Sequence, residues 1–167
     1  MRNDLEKTLT AKIMDLPVMV QTIAEWKNDS QKVVFTNGVF DLLHLGHITY
    51  LAKAAELGDK LIIGLNSDAS VKRIKGPERP VNDQNNRAAL LAALFFVDAV
   101  VLFGDDTPLD LIRELMPDVL IKGADYQIEN IVGAKEVLAN GGEVKTIDLV
   151  QGYSSTSIIN KIRNKTT

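Results

Sequence analysis

Cysteine is absent from the chain, so disulfides and thiolate metal sites are excluded. Histidine is nearly absent: among 167 residues the two are His44 and His47. A zinc centre built on three imidazoles is thereby ruled out. There is no excess of positive charge. Lys and Arg number 19 against 22 Asp and Glu, a net charge of −3. That argues against a general nucleic-acid binder but not against a small anionic ligand, for which a few local cations suffice. No apolar run approaches the roughly 18 residues of a membrane span. The first residues, Met1-Arg2-Asn3-Asp4, do not make a secretory signal. A cytoplasmic protein with no membrane association is expected. Internal repeats and low-complexity tracts are missing too, as are G-x-x-x-x-G-K-[ST] and a G-x-G-x-x-G after the first apolar run, which counts against a P-loop kinase and a plain dinucleotide dehydrogenase.

What is present is an ordinary globular balance, 46% hydrophobic and 25% charged, in a length that suits one domain. Residues 1–31 read as a helical lead-in, with Leu16, Val20, Ile23 and Trp26 on one face. Asn28-Asp29-Ser30 breaks that pattern. Residues 32–167 then alternate between strand and helix. The spacing predicts strands over 32–36, 60–65, 99–103, 119–121 and 143–147. It predicts helices over 46–57, 87–96, from Thr107-Pro108 to 115, over 131–139 and over 156–163. Thr107 reads as an N-cap with Pro108 in the first turn, and Asn140-Gly141-Gly142 as a C-cap. Val71 to Asn86 reads as one long polar loop. Alternating strands and helices imply an α/β fold: a Rossmann-like parallel five-stranded sheet with helices on both faces.

In such a sheet ligands bind beyond the carboxyl ends of the strands. The residues found there are rich in Gly, Lys, Ser, Thr and His, all sources of donors for phosphate oxygens. His44 and His47 flank Leu45-Gly46 at a strand-to-helix junction, where a spacing of three sets both rings on one side. Gly46 lets an anion approach the backbone, and the helix N-terminus adds partial positive charge. The pair reads as a phosphate cradle. A two-histidine metal site completed by carboxylates and a purely structural pair remain the alternatives. Lys72, Arg73, Lys75 and Arg79 supply cations or form a solvated loop. Ser154-Ser155-Thr156 caps the last helix, a use compatible with phosphate binding. Arg87 and Lys122 read as structural.

The string Gly38-Val39-Phe40-Asp41-Leu42-Leu43-His44-Leu45-Gly46-His47 resembles the G-x-F-D-x-x-H-x-G-H signature of the cytidylyltransferase-like nucleotidyltransferase superfamily. Ser154-Ser155-Thr156-Ser157-Ile158-Ile159 resembles its second motif. Together the likeness runs from about Lys32 to Ile162. Thr36 to Asp41, Val71 to Gly76, Arg79 to Asn82, Val119 to Tyr126 and Gly133 to Val144 look like the adenylyltransferase domain of the bifunctional ADP-heptose synthases. The resemblance implies a nucleotidyltransferase domain over 32–167. It would transfer AMP from ATP to D-glycero-β-D-manno-heptose 1-phosphate, giving pyrophosphate and ADP-heptose, a lipopolysaccharide core precursor. The chain is short for an added sugar-kinase domain, so a stand-alone enzyme served by a separate heptose kinase is expected. A homo-oligomer is expected as well.

By the same resemblance, His44 and His47 would contact the triphosphate, and Lys75 the acceptor phosphate or pyrophosphate, with Lys72 and Arg79 as weaker substrate contacts. Asn37, Gly38, Phe40, Asp41 and Gly46 would form the nucleotide loop, with Asp41 orienting it. Gly123 and Asp125 would read base and ribose, and Ser154, Ser155 and Thr156 would hold the outer phosphates. Mg²⁺ would be held mostly by phosphates and water, with no protein metal centre. The segment Leu149 to Thr156 lacks the arginine that glycerol-3-phosphate cytidylyltransferases carry there, which counts against that related enzyme. A catalytically silent nucleotide-binding regulator is the rival of a different class.

Overall fold

Side-chain caps set where most of the helices begin. In the computed structural model, which describes residues 4–164, Asp15, Ser67, Asp83 and Ser154 each accept a hydrogen bond from a backbone N–H in the first turn of the following helix. Residues 1–3 and 165–167, the outer ends of the two expected segments, lie outside the described residues. The chain runs α1 (Leu5–Thr10), β1 (Ile13–Met14), α2 (Leu16–Asn28), β2 (Val33–Gly38), α3 (Leu45–Ala55) and β3 (Lys60–Asn66). It continues with α4 (Asp68–Lys75), α5 (Gln84–Ala92), β4 (Ala99–Phe103), α6 (Leu109–Leu115) and β5 (Val119–Gly123). A 3-10 turn at Ile128–Asn130, α7 (Ala134–Ala139), β6 (Glu143–Ile147) and α8 (Ser155–Arg163) complete it.

The sheet is parallel throughout and has six strands, not the five expected, in the order β1-β4-β3-β2-β5-β6. The extra strand comes from the N-terminal lead-in, where Ile13 and Met14 pair with Val100 and Val101 at the sheet edge. Two residues are too short a run to show a strand period. Other departures are local. The expected polar loop from Val71 begins inside α4, whose charged sequence DASVKRIK buries only Ser70 and Val71. Lys72, Arg73 and Lys75 therefore lie on a helix. Thr107 does not cap α6; Pro108 takes that position with no side-chain capping bond. The expected helix over 131–139 starts only at Ala134, as the shorter α7; residues 131–133 form a turn that follows the 3-10 segment Ile128–Asn130.

Each inner strand buries both faces, with alternate residues entering separate cores. Val33, Phe35, Ile62 and Leu120 pack with α2, α6 and α7, joined by Met19, Ile23, Ile112 and Val137. Val34, Ile63 and Ile121 pack with α3 and α5, through Leu51, Ala54 and Leu91. This double burial explains the near-continuous apolar runs. From β2 the chain winds outward to β3 and β4, then returns to lay β5 on the other side of β2. The strand order thus reverses between β2 and β5, which opens a crevice beyond their carboxyl ends.

A candidate nucleotide site at the strand-order reversal

That crevice is a cavity of about 620 Å³. Every residue singled out from the sequence as a site candidate lines it except Lys72 and Arg73, which are exposed on α4. Asn37, Gly38 and Phe40 come from the end of β2, and His44, Gly46 and His47 from the start of α3. Lys75 and Arg79 close one side; Gly123 and Asp125 follow β5; Ser154, Ser155 and Thr156 open α8.

His44 is the N-cap of α3, its Nδ1 accepting from the His47 N–H at 3.3 Å. This bond requires Nδ1 to be unprotonated, so neutral His44 carries its proton on Nε2, the donor left for a ligand. The two imidazoles stack with centroids 3.7 Å apart and planes at 19°. Phe40 meets His47 edge-on at 5.2 Å. Phe40 itself sits at φ +45°, a conformation side-chain-bearing residues seldom adopt. Its ring covers Gly38 so closely that a Cβ there would lie 2.9 Å from it. Gly46 is equally confined: a Cβ would come within 3.1 Å of the His44 ring and 3.3 Å of the Tyr153 Cβ.

Burial lowers the pKa of His44. It pushes His47 down to about 4, with the neighbouring His44 charge adding to the effect and the polar backbone at Leu42 working against it. The buried Nδ1 of His47 has no hydrogen-bond partner among the described residues. Two stacked imidazoles cannot both take a proton without strong repulsion, so at most one of the pair carries charge. An unfolded chain protonates this histidine near 6.5, whereas the native one resists until about 4. The stabilising contribution is therefore full above the first value and is lost as the pH falls towards the second. Thermal melts between about pH 7 and pH 4 should show this loss, and His47→Gln should flatten it. An unchanged pH dependence in that variant would sink the assignment.

Asp41 is 2% exposed, and its carboxylate accepts from the Arg79 Nε and from the amides of Val81 at 2.8 Å and Asn82 at 3.0 Å. Both charged partners are thus committed to anchoring the loop after α4. Arg87, fully buried, extends the clamp: it donates to the carbonyls of Val39 and Asn82 and pairs with Asp68 at 2.8 Å. Ser155 is likewise engaged, donating from Oγ to the Leu42 carbonyl at 3.0 Å, which ties α8 to the loop before α3. Ser154 accepts from the Ser157 N–H at 3.0 Å as a cap. Lys75 makes no hydrogen bond or ion pair among the described residues, so its charge is available to a ligand.

Lys122, which reads as structural from the sequence, also lines the cavity, as do Tyr126 and Tyr50, the last of which sequence reasoning passed over. Lys122 donates to the Asn37 carbonyl at 3.3 Å, and its ammonium lies 5.8 Å from the Tyr126 ring centroid. Burial pushes its pKa down to about 8, with Asp125 drawing it back. The available signal was a lysine ending an otherwise apolar strand, VLIK. Tyr50 bonds to Thr36 at 2.7 Å, and burial raises its pKa to about 12. Among the described residues no three His, Asp or Glu side chains converge to hold an ion. None of the described helices is long and apolar enough to cross a membrane.

Comparison with known proteins gives a consistent picture. The family described as cytidylyltransferase-like matches residues 35–161. The bifunctional protein HldE of Mesorhizobium japonicum is 54% identical over 151 residues, covering 90% of this chain and 30% of that protein. HldE of Campylobacter jejuni serotype O:6 is 52% identical over 164 residues, covering 98% of this chain and 33% of its own. The chain thus spans about a third of the length of these curated relatives. Among solved structures, a lipopolysaccharide core biosynthesis protein from Thermoplasma volcanium superposes with a TM-score of 0.58 at 32% identity. That match covers 74% of this chain and 99% of the other.

Proposed function

The chain belongs to the cytidylyltransferase-like family, and from that premise we propose that it is an adenylyltransferase, passing AMP from ATP to D-glycero-β-D-manno-heptose 1-phosphate and releasing pyrophosphate and ADP-heptose. The observation that carries this reading is the meeting of His44 and His47 with Ser154, Ser155 and Thr156 across one cavity, more than a hundred residues apart in sequence. The identity to HldE and to a protein named for lipopolysaccharide core biosynthesis supports the acceptor.

The reaction is an in-line displacement. An oxygen of the acceptor phosphate bonds to the α-phosphorus, the bond from that phosphorus to the β-phosphate oxygen breaks, and pyrophosphate leaves with its electron pair. No covalent enzyme intermediate is required, so the protein contributes position and charge. His44 and His47 hydrogen-bond the triphosphate, His47 nearest the reacting phosphorus. Asn37, Gly38, Phe40 and Gly46 shape the nucleotide loop, while Asp41 with Arg79 holds it in place. The N–H groups at the start of α8 face the outer phosphates, and Lys75 offers its charge to the leaving group. Gly123 and Asp125 stand at the nucleoside. Mg²⁺ would arrive on the triphosphate, held mainly by phosphates and water. A heptose kinase activity supplies the acceptor, and a homo-oligomeric, cytoplasmic enzyme fits the same reading.

Pyrophosphate release, measured with ATP or CTP against a panel of sugar and polyol phosphates, tests this. ATP with the heptose 1-phosphate should be the preferred pair by at least tenfold in kcat/KM, about 1.4 kcal/mol. A preference for CTP with glycerol 3-phosphate, or ATP binding with no release across the panel, would refute it.

A further inference from the structure

The cavity has two halves. One is lined by the histidine pair, Tyr153 and the start of α8. The other is lined by Thr107 and Pro108 before α6 and by Asn130, Ile131 and Val132 after β5. Ile131 packs into the core that holds Phe35, Ile112 and Leu120, so this second half belongs to that face of the sheet. Side chains two apart on a strand share a face. Asn37 follows Phe35 by two, and Lys122 follows Leu120 by two. Both therefore stand on the face of the second half, at the boundary between the halves.

Two features at this boundary remain unsatisfied. The half-buried Lys122 ammonium has three donors, and its recorded contacts are the Asn37 carbonyl and the Tyr126 ring. It forms no ion pair among the described residues; the charge of Asp125 reaches it, but not as a salt bridge. Cations held out of water are normally paired with an anion. Beside it, the Asn37 side-chain oxygen is buried with no hydrogen-bond partner among the described residues. An unpaired cation next to an unpaired acceptor matches a ligand that carries an anion and hydroxyl donors in one small molecule.

We infer that Lys122 binds the phosphate of the acceptor, while the Asn37 side chain accepts from a hydroxyl of the attached sugar. This rests on the adenylyltransferase reading and deepens it. It divides the cationic work, with Lys122 steering the attacking phosphate and Lys75 attending the pyrophosphate. Lys122 adds charge without moving a proton: it offsets the repulsion between two phosphates that must approach before the new bond forms.

The test uses titration calorimetry on the wild type, Lys122→Met and Lys122→Arg. Each is titrated with a non-hydrolysable ATP analogue, then with heptose 1-phosphate in its presence, and pyrophosphate release is followed separately. In Lys122→Met the analogue should bind within about threefold of the wild type, whereas the heptose 1-phosphate should bind at least about tenfold more weakly, as for loss of a charged hydrogen bond. Lys122→Arg should recover part of that loss, which a merely structural lysine would not require. Should the methionine variant fail to fold in a thermal melt, Lys122→Gln is read in its place. Unchanged acceptor binding in the neutral variant, or an equal loss of the ATP analogue, overturns the inference. Wild-type protein that binds heptose 1-phosphate through Lys122 yet releases no pyrophosphate overturns the reaction instead and leaves the Lys122 assignment standing. Wild-type protein that does not bind heptose 1-phosphate overturns both.

Discussion

Replacing His47 with alanine is expected to lower kcat by roughly 10²- to 10³-fold while the protein stays folded, as for removal of a preorganised donor at a reacting centre. The two halves of this expectation come from different atoms. The ring is what would face the triphosphate in the proposed reaction, and it is removed. The backbone N–H is what the His44 Nδ1 caps, at 3.3 Å, and it is retained. Helix α3 therefore keeps its first turn, and Leu51 and Ala54, fully buried, keep it packed on the sheet. The measurement is pyrophosphate release at saturating ATP, beside a thermal melt. A folded His47→Ala protein with kcat within about threefold of the wild type would remove His47 from the reacting phosphate. His47→Asn, which returns a donor on a shorter side chain, should recover part of the loss. The His44 counterpart differs, because His44→Ala removes the cap as well as a donor and should lower the melting temperature along with kcat, a cap being worth about 1 kcal/mol.

Much of this was legible in the sequence, for a local reason. Val33 to Phe35, Ala99 to Phe103 and Glu143 to Ile147 are strands because short apolar runs bounded by turn residues leave the chain few alternatives. The cradle could be read because Gly38, Phe40, Asp41, His44, Gly46 and His47 lie within ten positions of one another. What could not be read depends on contacts distant in sequence. Ile13 and Met14 become a strand only because Val100 and Val101 present an edge. Ser155 meets Leu42 across 113 positions. Lys122 reads as a structural lysine closing a strand until the reversal of strand order sets it beside Asn37, 85 positions earlier. Asp41 could be given a loop-orienting role from the sequence, but its partners Arg79, Val81 and Asn82, about 40 positions away, could not.

That last arrangement gives the second large effect. Asp41→Ala is expected to destabilise the protein by about 3–5 kcal/mol, the usual cost of breaking a buried ion pair by removing one partner. The Asp41 side chain is 1% exposed and that of Arg79 18%, so the guanidinium cannot recover its hydration without moving the loop. The amides of Val81 and Asn82 lose their acceptor at the same time. For a chain of this size the melting temperature should fall by roughly 6–20 °C. Activity should fall with it, because the Asn82 carbonyl also accepts from Arg87, which in turn holds the Val39 carbonyl beside the strained Phe40. Asp41→Asn keeps the shape and one acceptor oxygen, so it should land between the wild type and the alanine variant in both measurements. The pairing of the two losses is the discriminating result. A carboxylate acting through direct contact with nucleotide or metal would, when removed, cost turnover and leave the melting temperature near that of the wild type. A carboxylate that anchors the loop costs both together, and full activity in a destabilised Asp41→Ala protein would show that the loop after α4 contributes nothing to the reacting groups.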